Sequence, residues 1–235
     1  PEITSILLNT SAKYNASATT KDAETLKANI ITNLTNYNTS TLQKFDSVFR
    51  FSKVSTLIDG TDASILSNIT TIKIRKSLQP TINSSLKYNI YFRNGLYNPH
   101  TGHNSTAGGI LTSTGFKVSG NTNEQFLDDD GNGNVRAYYL SGATRVYTNS
   151  TQGTIDYTTG AITINSLQVT EISNIRGSAS SVIELTVQPA SNDIVPVRDQ
   201  IVELDISNST ISVQKDTFVA GSSDAGVGYT TTSAY

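Results

Sequence analysis

The apolar residues of this chain change their spacing once, between Phe49 and Pro80, and that change limits what the chain can become. In FRFSKVSTLIDGTDASILSNITTIKIRKSLQP, Val54, Leu57 and Ile58 share one helical face, Ser52 stands where a cap belongs, and Gly60 ends the run. Past Gly60-Thr61-Asp62, Ile72 and Ile74 alternate with Lys73 and Arg75, the period of a half-buried strand, and Pro80 closes it. After Pro80 the period stays at two. The sequence therefore predicts an α+β fold: a small amino-terminal helical lobe joined to a larger, mostly antiparallel β-rich body. Phe49–Pro80 becomes the joint between them and the expected hinge. The division follows: residues 1–80 a helical lobe with a joining strand, 81–188 a β-rich body with long loops, 189–235 closing strands and a mobile tail.

Within the first part, Ile3, Ile6, Leu7 and Leu8 predict a strand running into a loop. Ala23, Leu26, Ile30, Leu34 and Tyr37 recur at helical spacing with Thr20 as cap, and Ser40 with Gln43 forms a capping-box pattern that opens a second helix burying Leu42, Phe45 and Phe49. Beyond Pro80, Tyr88, Ile90 and Phe92 line a strand that stops at Asn94-Gly95, followed by a long loop from Leu96 to Gly109. Strands are expected over 110–118, 135–140, 143–148, 182–187, 201–206 and 211–213. Ile155 and Tyr157 pair across Thr158-Thr159-Gly160 with Ile162 and Ile164 in a hairpin. No fixed-period repeat is visible, which argues against a solenoid or propeller.

Composition removes several classes of function. A net charge of −2 and a pI near 5.7 argue against a nucleic-acid partner, which requires a basic face. No apolar run approaches the roughly 20 residues that cross a bilayer, so a soluble chain with no membrane partner is expected. Cysteine is absent, which excludes a disulfide framework and a thiolate metal site. Methionine is absent too, and a chain starting at Pro1 is expected to be part of something longer. Only 15% of residues are charged, while Ser and Thr make up roughly a quarter. Either Ser and Thr occupy exposed strand faces, or part of the surface is covered by neighbours, since interface cores are poor in charge.

Four groups of residues stand out as candidate sites. Asp128-Asp129-Asp130-Gly131-Asn132-Gly133-Asn134 spaces oxygen ligands as the first half of a calcium loop does, but no closing glutamate follows before Glu171; the other reading is a polar hairpin tip. His100 and His103, the only histidines, lie three apart in a Pro/Gly loop without an acidic or cysteine partner nearby. Lys73, Arg75 and Lys76 give the joining strand a basic edge, for docking an acidic neighbour or for protecting the edge from stray pairing. The sequons at Asn33, Asn68 and Asn104 are what an Asn- and Ser/Thr-rich chain produces by chance. No G-x-S-x-G elbow occurs and no paired carboxylates announce themselves. The expectation is a protein that is not an enzyme, with no catalytic, cofactor-binding or metal-ligating residues and no cofactor.

Phe49–Pro80, together with KYNIYFRNGLYNPHTGH (Lys87–His103), GTIDYTTGAITI (Gly153–Ile164) and PASNDIVPVRDQIVELDI (Pro189–Ile206), resembles the large baseplate wedge proteins of contractile-tailed bacteriophages, the baseplate J-like family. The stretches occur in family order and span most of the chain from Phe49 to Ile206. The resemblance implies a late virion protein, a structural subunit of the tail baseplate assembled in the host cytoplasm. It implies self-association as a homodimer within a six-fold ring, contacts with other wedge proteins around the hub below the contractile sheath, and rearrangement on contraction. The alternative is an adhesin, a receptor- or glycan-binding β module, for which eleven tyrosines in a Ser/Thr/Asn-rich body offer stacking surfaces.

Overall fold

Two β-sheets dominate the molecule, each laid down by segments from distant parts of the chain. The computed structural model describes residues 2–103 and 109–217. In chain order they form β1 (Glu2–Tyr14), α1 (Ala23–Tyr37), α2 (Phe51–Asp59), β2 (Ile65–Leu78), β3 (Ser85–Tyr91), β4 (Thr112–Ser113), β5 (Phe116–Val118), β6 (Asn121–Asp129), β7 (Asn134–Ser141), β8 (Thr144–Asp156), β9 (Ala161–Ile172), β10 (Ile183–Val187), β11 (Gln200–Leu204) and β12 (Thr210–Lys215). The first sheet runs β11-β1-β2-β10-β4, with β12 beside the second half of β1. The second runs β3-β9-β5-β6-β7-β8, and because β9 also pairs with β8 the strands close into a barrel.

This corrects the expected fold class. The molecule is mostly β, and its helices make no separate amino-terminal lobe. β1 and β2 are the long central strands of the first sheet, paired antiparallel from Ser5↔Arg75 to Tyr14↔Ile65. Alternation places Ile6, Leu8 and Ala12 of β1 and Ile72 and Ile74 of β2 on one buried face, and α1 and α2 add Leu26, Ile30, Leu34, Val54 and Ile58 to the same core. The helices are thus the cover of one sheet face. Phe49 exchanges backbone hydrogen bonds with Ile194 at 2.9 and 3.1 Å, so the supposed joint is tied to the far end of the chain. A hinge there would have to tear a central strand out of its ladder. The strands pair mostly antiparallel, as expected, with β1 the exception in pairing parallel with both β11 and β12.

Several local expectations failed for identifiable reasons. The helix at Ser40 does not form: α1 runs on into a single π turn, Asn38–Leu42, and Phe45 is 60% exposed. Asp22, not Thr20, caps α1 by accepting from the Thr25 amide at 2.8 Å. α2 takes its cap from afar, since Asp193 Oδ1 accepts from the Phe51 amide at 2.9 Å. β3 ends at Tyr91, just short of Asn94-Gly95, and Phe92 and Leu96 donate to Gly160 and Tyr157, which lays this segment along the β8–β9 turn. The alternating run at 110–118 breaks at Thr114-Gly115, where the chain leaves the first sheet as β4 and enters the barrel as β5. The hairpin around Gly160 forms as expected, with Ile155 opposite Ile162. The tail over 221–235 lies outside the described residues.

Candidate functional site

The basic triplet of β2 does not line an edge, because β2 has β1 on one side and β10 on the other. Its members separate by the pleat. Lys73 is exposed on the face that no helix covers. Arg75, on that same face but buried, reaches Asp205 and donates to Glu184 Oε2 at 3.3 Å; Arg176 reaches Glu184 as well, at 2.8 Å. Lys76 points to the inner face and donates to the Glu2 carboxylate. Burial lowers the Lys76 pKa, with the Glu2 hydrogen bond opposing it. Burial also works against ionisation of Asp205, yet bonds from Asn208 and Ser207 and the charge of Arg75 hold its carboxyl below the usual range. These groups sit where β1 and β2 part company, at a cleft of about 610 Å³ bordered by Glu2, Ser5, Glu203, Asn89 and Ile90. Each buried charge has its counter-charge, so the arrangement clamps strands from three parts of the sequence rather than presenting a reactive group.

The Asp128–Asn134 stretch begins in a strand, and the pleat sends consecutive aspartates to opposite sides. Asp128 lies outside the barrel wall, fully buried beneath Arg136 (2.9 and 3.2 Å), Arg145 (2.6 Å) and the Tyr147 hydroxyl (2.8 Å). The Arg136 guanidinium stacks on the Tyr147 ring at 4.2 Å and Arg145 on Tyr138 at 4.7 Å. Asp129 turns inward and accepts from the amides of Ile110 and Leu111, both at 2.7 Å, and from the Tyr157 hydroxyl at 2.6 Å. Burial, then the bond to Asp129, pushes the Tyr157 pKa up. Asp130 closes the turn on Asn132 and Asn134. The three carboxylates diverge and are taken up by the protein's own donors, as at a polar hairpin tip.

The histidine loop folds onto this hairpin tip, a juxtaposition that sequence spacing did not reveal. Gly102 donates to the Gly131 carbonyl at 2.9 Å, and Gly131 sits at φ +74° so close to the His103 carbonyl that a Cβ would clash. His103 Nδ1 lies 3.0 Å from His100 Nε2, and Tyr97 meets the His103 ring edge-on. Among the described residues no group of three or more His, Cys, Asp or Glu side chains is arranged to hold a metal ion. The amide of Asn33 bonds Thr61, and that of Asn68 bonds Ser55 and Asp59; Asn104 lies outside the described residues. Of the tyrosines between Tyr88 and Tyr157, Tyr138 is buried and Tyr157 is held by Asp129, while Tyr91, Tyr97 and Tyr147 are exposed. No helix of the described residues is long and apolar enough to cross a membrane, which says nothing of strands.

What sequence reasoning missed is the face of the first sheet that has no cover among the described residues. Its signal was available in β1, where Ile3, Ser5, Leu7, Asn9, Ser11 and Lys13 alternate with the buried set. That strand and β2 are also where a known family is met. Residues 2–77 match the family model described as baseplate structural protein gp6, C-terminal domain III. The match supports a structural role in a phage tail baseplate, and with it a place in the virion and association with other baseplate proteins. It spans about a third of the chain, from β1 through both helices to the end of β2 but for one residue. It does not single out the baseplate J-like family. No curated protein matches the chain.

Proposed function

We propose that the chain is a structural subunit of the baseplate wedge. It binds copies of itself and other wedge proteins in the ring around the hub below the contractile sheath, and its contacts rearrange when the sheath contracts. It works through surfaces and catalyses nothing. The observation that carries this reading is the match of residues 2–77 to a baseplate structural domain, a segment that supplies the central strands of one sheet and the helices that cover it. Two physical features support it. The large buried charge clusters are closed by internal partners, as suits a scaffold, and much of one sheet face has no cover among the described residues. Contacts that close a ring and yet re-form on contraction call for surfaces of moderate, polar character, and a Ser/Thr-rich face has that character. The test is to mix the purified chain with the other wedge proteins of its phage and follow mass by light scattering and shape by negative-stain microscopy. Discrete higher-order particles containing this chain are expected. A chain that elutes alone in every mixture, or turns over a substrate, would overturn the proposal.

A further inference from the structure

We propose that His100 and His103 form a chelating pair for a divalent first-row transition ion of the zinc, nickel and copper class, held ready by the turn that carries them. The site is independent of the assembly role and stands or falls without it. The turn comes first. His103 donates its amide to the His100 carbonyl at 3.0 Å, and Gly102 between them sits at φ +76°, the positive value that the third place of a type II turn requires. The two ends of such a turn stand within about 7 Å, Cα to Cα, so both imidazoles start from neighbouring points. The turn is anchored as well. Gly102 donates to the Gly131 carbonyl at 2.9 Å on the β6–β7 hairpin tip, and the Tyr97 ring meets the His103 ring edge-on at 5.4 Å.

The side chains converge nitrogen to nitrogen. His103 Nδ1 lies 3.0 Å from His100 Nε2, with the rings at 85°. Two nitrogens each about 2.1 Å from one ion and about 90° apart are about 3.0 Å from each other, the cis edge of an octahedral or tetragonal site. A tetrahedral site needs them only about 0.4 Å further apart. The protons follow from the partners. His100 Nδ1 is 3.2 Å from the Thr101 carbonyl, which can only accept, so that nitrogen carries the proton and Nε2 presents its lone pair to the His103 Nδ1–H. An ion takes the place of this shared proton. The His103 proton moves from Nδ1 to Nε2, none is lost, and two neutral imidazoles face the metal. His100 is exposed and His103 half-buried, so solvent reaches the pair and water fills the other positions. Imidazole selects these ions over calcium and magnesium, which take oxygen ligands.

Isothermal titration of the untagged chain with nickel or zinc chloride should show a single ion bound per chain, and calcium chloride should show none. His100→Gln and His103→Gln should each weaken binding by at least about tenfold, because a two-point chelate becomes a single contact. With copper, electron paramagnetic resonance should show coupling to two imidazole nitrogens in the wild type and to one in either variant. Gly131→Ala keeps both imidazoles but drives a Cβ into the His103 carbonyl, so it should displace the turn and weaken binding too. Circular dichroism establishes that each variant is folded. Absence of nickel and zinc binding, or binding that survives the loss of either histidine, overturns the proposal. So does an affinity unchanged in Gly131→Ala, which would mean two unorganised surface histidines and an adventitious ion only.

Discussion

The first sheet and the barrel both bury charge, but they do so in opposite ways. In the sheet, the buried charges at the centre are cations, Arg75 and Lys76, and their carboxylates arrive from Glu2, Glu184 and Asp205, up to 130 residues away. In the barrel it is a carboxylate, Asp128, and its cations Arg136 and Arg145 come from the next two strands of the same meander. The sheet is held together by remote segments and has one face without a cover among the described residues, while in the barrel β5 to β9 close on themselves and β3 pairs with β9 alone. The difference teaches that the two halves bury charge by different routes, local strands in the barrel and distant segments in the sheet. The family match falls on the strands and helices of the sheet.

The largest expected effect tests the closed half. Asp128→Ala strands two guanidiniums and the Tyr147 hydroxyl, and denaturant unfolding should register a loss of about 4 kcal/mol. A loss below about 1 kcal/mol would mean the cluster is decoration. Next comes the sheet's counterpart: Arg75→Met leaves Glu184 and Asp205 nearly buried without that cation, at a cost of about 3 kcal/mol, somewhat relieved by Arg176 and Asn208. Lys76→Met should be much milder, because Glu2 is exposed enough to take water instead. Equal losses for the two would erase the distinction between clamp and rim. A smaller change is expected from Asp193→Ala, which uncaps α2 and should lower stability by about 1 kcal/mol, seen as a shift in the urea midpoint without a change in slope.

The smallest effect is one of pH. A hydrogen bond from Lys21 and bonds from Ser64 hold Asp62 down to about 2, and Asp205 is also held low. For a depressed carboxylate the stabilisation is complete above the unfolded value of about 4 and disappears as pH falls through the folded one. Thermal midpoints should therefore drop between about pH 4 and 2, and Asp62→Asn should shallow that drop. An unchanged slope in the variant would mean that Asp62 is not one of the groups responsible.

The halves also differed in how much of them could be read beforehand. Local patterns in the barrel announced themselves: Ile155 and Ile162 across Gly160, or the alternation of β7. β6 escaped, because its first residues are polar and its aspartates looked like loop ligands until the pleat sent Asp128 and Asp129 to opposite sides. The sheet was harder. Ile3 to Leu8 read as a strand, but nothing in that run states that its partners are β2, β11 and β12, the last some 200 residues on. Without that pairing the helices looked like a lobe instead of a cover, and the basic triplet like an edge. The caps tell the same story, since Asp22 is local to α1 whereas Asp193 reaches α2 from 142 residues away. Side-chain period is local information; strand pairing is not.

The most direct test of the account is an electron cryomicroscopy map of the intact virion baseplate. The account predicts density for this chain in the ring, with the face bearing Leu7, Ile69 and Lys73 covered and the barrel wall over Asp128 intact. A map in which that face looks into solvent, or in which the chain has no place at all, would contradict it.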